Sequence, residues 1–317
     1  MTEFFKMMNS YSVLYKNVSL NFRYSRMQKK SIFTLPIILL ISIIFISCIK
    51  RKTPIKSRTS SVIFTDSIYS RYLSEYRKHN VYLPKNFNPK NKYPIIYATD
   101  GSDIDDEDFY FKESLKKFDS LIENNIIKPF IFIASYYNKE YTNILVDTSE
   151  NGKRYFYPFR NIEFEKFNST QTKDTIFTNR YNNHMQYFKD ELITKVEGDF
   201  KQSLERNDRY FYGSSAGAGF GISLLNKFPN KIGTYLCFSA YGGNIQSKKW
   251  KNNIEYPTLY FQYGTEELLL KDDANYLKSK YQELNSNYYT KQFNGGHNYK
   301  TWDKEFIKII TQLFKSN

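Results

Sequence analysis

Apolar residues recur along this chain with two different periods, and the switches between them mark out the elements. Residues 76–83 read as a strand that stops at Pro84, and turn-rich chain follows to Tyr93. Residues 95–99 form a short apolar strand broken at Asp100-Gly101, and 130–134 are apolar throughout. Between these, Phe111, Leu115, Phe118 and Ile122 stand three and four residues apart, which makes one helix face. The second half repeats the pattern, with helices at 185–200, 216–227 and 273–284 and strands at 210–212, 234–238, 258–263 and 288–293. Trp302, Phe306, Ile309 and Leu313 line a closing helix. Short apolar strands alternating with helices predict a mostly parallel central sheet covered on both faces, a three-layer α/β/α sandwich. One domain over 61–317 accommodates these elements, with an insertion at 137–183 that is rich in Tyr, Asn, Thr, Lys and Phe and has no clean period. Such a segment between a strand and a helix reads either as a lid or binding loop or as a surface excursion.

Upstream of this domain the pattern is different. Residues 32–49 are the longest apolar run, preceded by Arg26, Lys29 and Lys30, the basic-then-apolar order of a secretory signal. The run closes on Phe45-Ile46-Ser47-Cys48, which resembles a bacterial lipoprotein signal, where a small residue precedes a Cys that is lipidated and becomes the mature N-terminus. That reading divides the chain into a leader at 1–47, a lipidated Cys48 with a basic tether over 48–60, and the folded domain. Met27 is a more ordinary start for such a signal, which would make 1–26 an over-extended start. An uncleaved membrane anchor is the competing reading, because the run is just long enough to span a bilayer.

Charge follows the same division. The formal net charge is +14, yet residues 1–60 hold eleven basic side chains against the single acid Glu3, which leaves +4 for everything after residue 60. A nucleic-acid footprint would concentrate charge on the folded domain, so no nucleic-acid partner is expected. The apolar content of 41% is enough for a full core and excludes a disordered chain. Of the two cysteines, Cys48 is committed to the signal and Cys237 lies in an apolar strand, where a buried thiol is expected. Three scattered histidines speak against a zinc cluster.

The candidate chemistry begins with Gly213-Ser214-Ser215-Ala216-Gly217, a G-x-S-x-G sequence between a strand and a helix. A nucleophile elbow requires that context, since the Ser must sit on a strained turn and flanking glycines must avoid neighbouring backbone. Ser215 is therefore the candidate nucleophile. Its base must come from His79, His184 or His297. His79 precedes a strand, well upstream of the elbow, and His184 opens a helix. His297, in Asn294-Gly295-Gly296-His297, follows the last strand on a glycine-rich loop and is placed to reach Ser215. The orienting acid is expected after strand 258–263, in Gly264-Thr265-Glu266-Glu267, with Glu267 first and Glu266 second; Asp272 and Asp273 are better suited to the start of the next helix. The order Ser, acid, His is that of α/β-hydrolases. One oxyanion donor would be the amide of Ala216, and the other that of Ser102 or Gly101, after the early central strand.

From about residue 70 onward the chain resembles the esterase D and enterochelin-esterase-like group of α/β-hydrolases. The matching segments are Val81-Tyr82-Leu83-Pro84, Tyr93-Pro94-Ile95-Ile96-Tyr97 through Asp100-Gly101, 188–197, the elbow, Gly264-Thr265-Glu266-Glu267, and Gly295-Gly296-His297 with Trp302. Ala218 stands where relatives often carry a second Gly, and it is still small. The resemblance implies carboxylic-ester hydrolysis with no metal and no organic cofactor, and it favours Glu267 as the acid. It transfers no substrate, because 137–183 matches nothing recognised.

These readings combine in a membrane-tethered, extracytoplasmic serine esterase working through an acyl-enzyme on siderophore, hydroxycinnamoyl or acylated-polysaccharide esters. Two alternatives stand beside it. An acyltransferase would use the same triad with an alcohol in place of water, and a non-catalytic lipoprotein would use the pocket only to bind a ligand. Ester substrate and membrane, through the lipid, are the expected partners.

Overall fold

The computed structural model describes residues 60–106, 109–139, 143–148, 152–166 and 179–316. The leader, Cys48 and most of the tether lie outside these residues. An eight-stranded sheet runs in the order β1-β2-β4-β3-β7-β8-β9-β10. Its members are β1 (Val62–Ser70), β2 (Glu75–Leu83), β3 (Ile95–Ala98), β4 (Ile131–Ser135), β7 (Arg209–Ser214), β8 (Thr234–Phe238), β9 (Thr258–Gly264) and β10 (Tyr288–Phe293). Pairing is antiparallel from β1 through β2 to β4 and parallel from β4 through β10. The sheet is thus mostly parallel, as expected, with an antiparallel edge. Strand β1 escaped the periodicity reading. Its exposed positions carry Ile63 and Tyr69 as well as polar residues, so only half of an edge strand's alternation is visible.

Helices cover both faces. On one side lie α1 (Lys112–Glu123) and α7 (Tyr299–Leu313), the latter beginning at Asn298, whose side chain caps the amides of Lys300 and Thr301. On the other lie a helix in three pieces, α5 (Ala216–Lys227) and α6 (Leu270–Glu283). The three-piece helix comprises α3 (Arg180–Gln186), a π-helical segment Tyr187–Leu192 and α4 (Ile193–Asp199). It starts earlier than the expected 185–200, and Phe188, Leu192 and Val196 are buried as their spacing implied. Strands β3 and β4 are buried on both sides and feed alternate residues to the two layers. Ile95, Tyr97, Ile131 and Ile133 join one core; Ile96, Ala98, Phe132 and Ala134 join the other, with Phe118 and Phe306. Burying one Phe or Ile side chain contributes about 1.5–3 kcal/mol, which makes this double core the main source of stability.

The insertion carries structure of its own. A hairpin of β5 (Asn143–Thr148) and β6 (Arg154–Pro158) leads into α2 (Phe159–Phe164). Glu163 of α2 is fully buried and ties the segment to the sheet. It accepts from both terminal nitrogens of Arg77 on β2 at 2.8 Å, and from Nε and NH2 of Arg180 at 2.9 and 2.6 Å. Burial alone would raise the carboxyl, but the two guanidinium groups outweigh it and hold Glu163 well below the ordinary carboxylate range.

Candidate active site

The parallel strands all end at one edge of the sheet, and the sequence-predicted residues sit on the loops that leave it. Strand β7 ends at Ser214, and Ser215 turns the chain into α5 with φ 53° and ψ −128°. A non-glycine residue there is strained by about 1–3 kcal/mol and must be held by its surroundings. The Ser215 amide donates to the Phe238 carbonyl at 2.9 Å, while its own carbonyl accepts from the amides of Gly219 (3.1 Å) and Tyr241 (3.0 Å). The flanking glycines are needed for close approach. A Cβ on Gly213 would lie 2.7 Å from the Gly217 carbonyl, and one on Gly217 would overlap Thr99 Oγ1 and come within 2.9 Å of Asp100 Oδ2.

His297 follows β10 and reaches the elbow across two strands. Its Nε2 lies 2.9 Å from Ser215 Oγ, and its Nδ1 lies 2.7 Å from Glu267 Oε1. The structure therefore brings Ser215, His297 and Glu267 into one line. Glu266 is exposed, with its amide on the Gly295 carbonyl. Asp272 and Asp273 fall in the first turn of α6. The second oxygen of Glu267 is also engaged. It accepts from Ser239 Oγ at 2.5 Å and from the Gly264 amide at 2.6 Å, and Ser239 Oγ in turn accepts from Trp302 Nε1 at 2.7 Å. Burial pushes the Glu267 carboxyl up, but the donors His297, Ser239 and Gly264 outweigh it and lower its pKa. A carboxylate so held stays ionised and keeps Nδ1 of His297 protonated, leaving Nε2 free to accept from Ser215. His297 also stands edge-on to Trp302, with ring centroids 4.7 Å apart.

The other histidines are structural. His79 lies inside β2, not ahead of it, and His184 is buried against Phe164, Tyr187 and Phe220. Desolvation lowers them to about 4 and about 3, so both are neutral in the folded protein. Cys237 is fully buried, and desolvation raises its thiol pKa.

The two expected oxyanion donors differ. Ala216 is the first residue of α5, and helix geometry leaves its amide without an intrahelical acceptor. The Ser102 amide, however, donates to Asn80 Oδ1 at 3.2 Å, and the Gly101 amide to the Ser135 carbonyl at 3.0 Å. The position after β3 was legible, but the acceptors supplied by β4 and by β2 beyond it were not. Periodicity also missed Arg160 of α2. Its Nε and NH2 hold Asp100 Oδ1 and Oδ2 at 2.5 and 2.8 Å, and NH2 stands 3.4 Å from the Ser214 carbonyl. Nothing in its local sequence marks it, because its partner Asp100 lies far away in the chain.

Comparison with known proteins identifies the family. A family model described as "Putative esterase" matches residues 70–313. The chain belongs to this esterase family. It is a carboxylic-ester hydrolase with the α/β-hydrolase fold. An uncharacterized protein, YjcH, of Bacillus subtilis (strain 168) is 23% identical over 259 residues, covering 78% of this chain and 93% of that one. Among solved structures, a ferulic acid esterase superposes with a TM-score of 0.56 at 14% identity, covering 82% of this chain and 99% of the other. The ferric enterobactin esterase of Salmonella typhimurium gives 0.57 at 12% identity, covering 81% and 59%. At such identities these two structures speak for the fold.

Proposed function

We propose that Ser215, His297 and Glu267 form the catalytic triad of this esterase. The observation that carries the reading is the pair of contacts at His297, 2.9 Å to Ser215 Oγ and 2.7 Å to Glu267. Ser215 Oγ attacks the ester carbonyl carbon as its proton passes to His297 Nε2. Collapse of the tetrahedral intermediate expels the alcohol with that proton and leaves an acyl-Ser215. Water, deprotonated by His297, then attacks the acyl carbon, and the proton returns to Ser215. Glu267 orients the imidazole and stabilises the imidazolium. The Ala216 amide is the first oxyanion donor, and the Ser102 amide joins it by releasing Asn80, its 3.2 Å acceptor.

The reading extends to place and substrate. The basic-then-apolar leader ending at Cys48 supports a lipid-anchored, extracytoplasmic enzyme, and such an enzyme meets siderophore, hydroxycinnamoyl or polysaccharide esters. The test is a panel of acetyl, butyryl, feruloyl and catecholate esters offered to the wild type and to Ser215→Ala. Turnover that depends on Ser215 supports the proposal. Turnover retained in Ser215→Ala refutes it.

A further inference from the structure

Glu165 is a carboxylate near the elbow that the triad does not use. It ends α2 in extended conformation, with its amide on the Asn161 carbonyl at 2.7 Å. Its Oε2 accepts from the hydroxyl of Tyr157, on β6, at 2.9 Å. Its Oε1 is buried and has no hydrogen-bond partner among the described residues. The carboxyl rests against Gly242, where a Cβ would lie 2.6 Å from Oε2, and where φ is +71°. Any side chain at that position would displace Glu165, so the backbone there is matched to it.

Gly242 connects Glu165 to the reaction centre by short steps. The preceding residue, Tyr241, donates its amide to the Ser215 carbonyl at 3.0 Å, and its ring stands edge-on to His297 with centroids 6.4 Å apart. The Glu165 carboxyl therefore packs against the residue that follows Tyr241, whose amide bonds the main-chain carbonyl of Ser215, and Tyr157 of the insertion holds it from another side. Arg160 is the nearby cation, but its guanidinium is committed bidentately to Asp100 and does not pair with Glu165. Burial raises the Glu165 carboxyl, opposed by the Tyr157 bond and by Arg160. A carboxyl oxygen without a partner calls for a hydrogen-bonding group on a ligand. A hydroxyl satisfies it in either protonation state, since it can both donate and accept, whereas a substrate carboxylate would be repelled by the ionised form. The residue as a whole is only half-buried.

We propose that Glu165, held by Tyr157 and seated on Gly242, is a specificity-determining residue that takes a hydroxyl group of the ester substrate beside Ser215. This rests on the serine-esterase reading and narrows its substrates to neutral, hydroxylated esters. The hydroxyl could belong to a phenolic acyl group or to a polyol alcohol, and matched probes tell these apart. Methyl p-coumarate against methyl cinnamate tests the acyl side, and 1-acetylglycerol against propyl acetate tests the alcohol side.

The experiment measures kcat/KM for each pair with the full chain as wild type, Glu165→Gln and Glu165→Leu. The within-pair ratio does not depend on the amount of folded enzyme, so a poorly folding variant still reports. The wild type is expected to favour the hydroxylated member of one pair by about 10–100-fold. Glu165→Leu should bring that ratio close to one, and Glu165→Gln should keep an intermediate value. No preference in either pair, or a preference that survives Glu165→Leu, overturns the proposal. Fluorophosphonate labelling of Ser215 reports the underlying reading separately. Labelling without hydroxyl preference removes the subsite alone, and absence of labelling removes both.

Discussion

Removing one hydroxyl from the group behind the triad tests how Glu267 works. Ser239 Oγ donates to Glu267 Oε2 at 2.5 Å and accepts from Trp302 Nε1 at 2.7 Å, in a fully buried position. Ser239→Ala deletes one of the three donors on that carboxylate and leaves the indole N–H without its acceptor. A hydrogen bond to a charged acceptor is worth about 1.5–3 kcal/mol, which corresponds to about 10–100-fold in rate if it is lost from the transition state. The ionised form of Glu267 is then less favoured, so its pKa rises and the acid limb of the kcat/KM profile moves to higher pH. KM should change little, because Ser239 lies behind the acid and away from the substrate. Ser239 has φ 46°, so Ser239→Gly removes the same hydroxyl while relieving backbone strain. The glycine variant should therefore lose the same activity as the alanine variant yet be more stable by about 0.5–1 kcal/mol. Stopped-time assays on a chromogenic short-chain ester across pH, with urea denaturation in parallel, measure both quantities. A Ser239→Ala enzyme within twofold of wild type, with its acid limb unmoved, would refute the reasoning.

Three further outcomes follow from the same geometry. Glu267→Gln should lower kcat by about 10²–10⁴-fold while Glu266→Gln stays near wild type in the same ester assay, since only Glu267 holds His297. Gly217→Ala places a methyl on Thr99 and Asp100 at the elbow, and urea midpoints should show a loss of about 1–3 kcal/mol or more together with lost turnover. His79 binds a proton near pH 6.5 when unfolded but only near 4 when folded, so its stability contribution is complete above about 6.5 and declines as pH falls toward 4. Each such histidine gives a slope of about 1.4 kcal/mol per pH unit in that window, and His79→Gln should remove its share while leaving that of His184, whose folded value is about 3. Urea titrations at pH 6.5 and 5 would detect an unchanged slope, which would contradict the buried neutral assignment.

Those residues that act where the chain itself is distinctive were legible before any coordinates. The elbow needs small neighbours and a strand-to-helix turn, and Gly213, Gly217 and the apolar strand before them write that requirement into sequence. His297 and Glu267 follow β10 and β9 closely, so strand order alone placed them at the same sheet edge. Ser239 and Arg160 act through partners far away in the chain, Glu267 and Asp100, and nothing in their local sequence marks that. The same holds for Ser102, whose amide meets Asn80 of β2, two strands across the sheet from β3. Trp302 was readable as a helix-face residue, and its indole N–H gained a second role only once α7 packed beside β8. Strand β1 stayed hidden because an edge strand shows the core only every other residue.

The central claim concerns a single oxygen atom, Ser215 Oγ, and mass spectrometry of the fluorophosphonate-treated full chain addresses it most directly. The account predicts one adduct per chain on the peptide containing Ser215, formed far more slowly in His297→Ala and not at all in Ser215→Ala. An adduct on another residue, or undiminished labelling of Ser215→Ala, would contradict it.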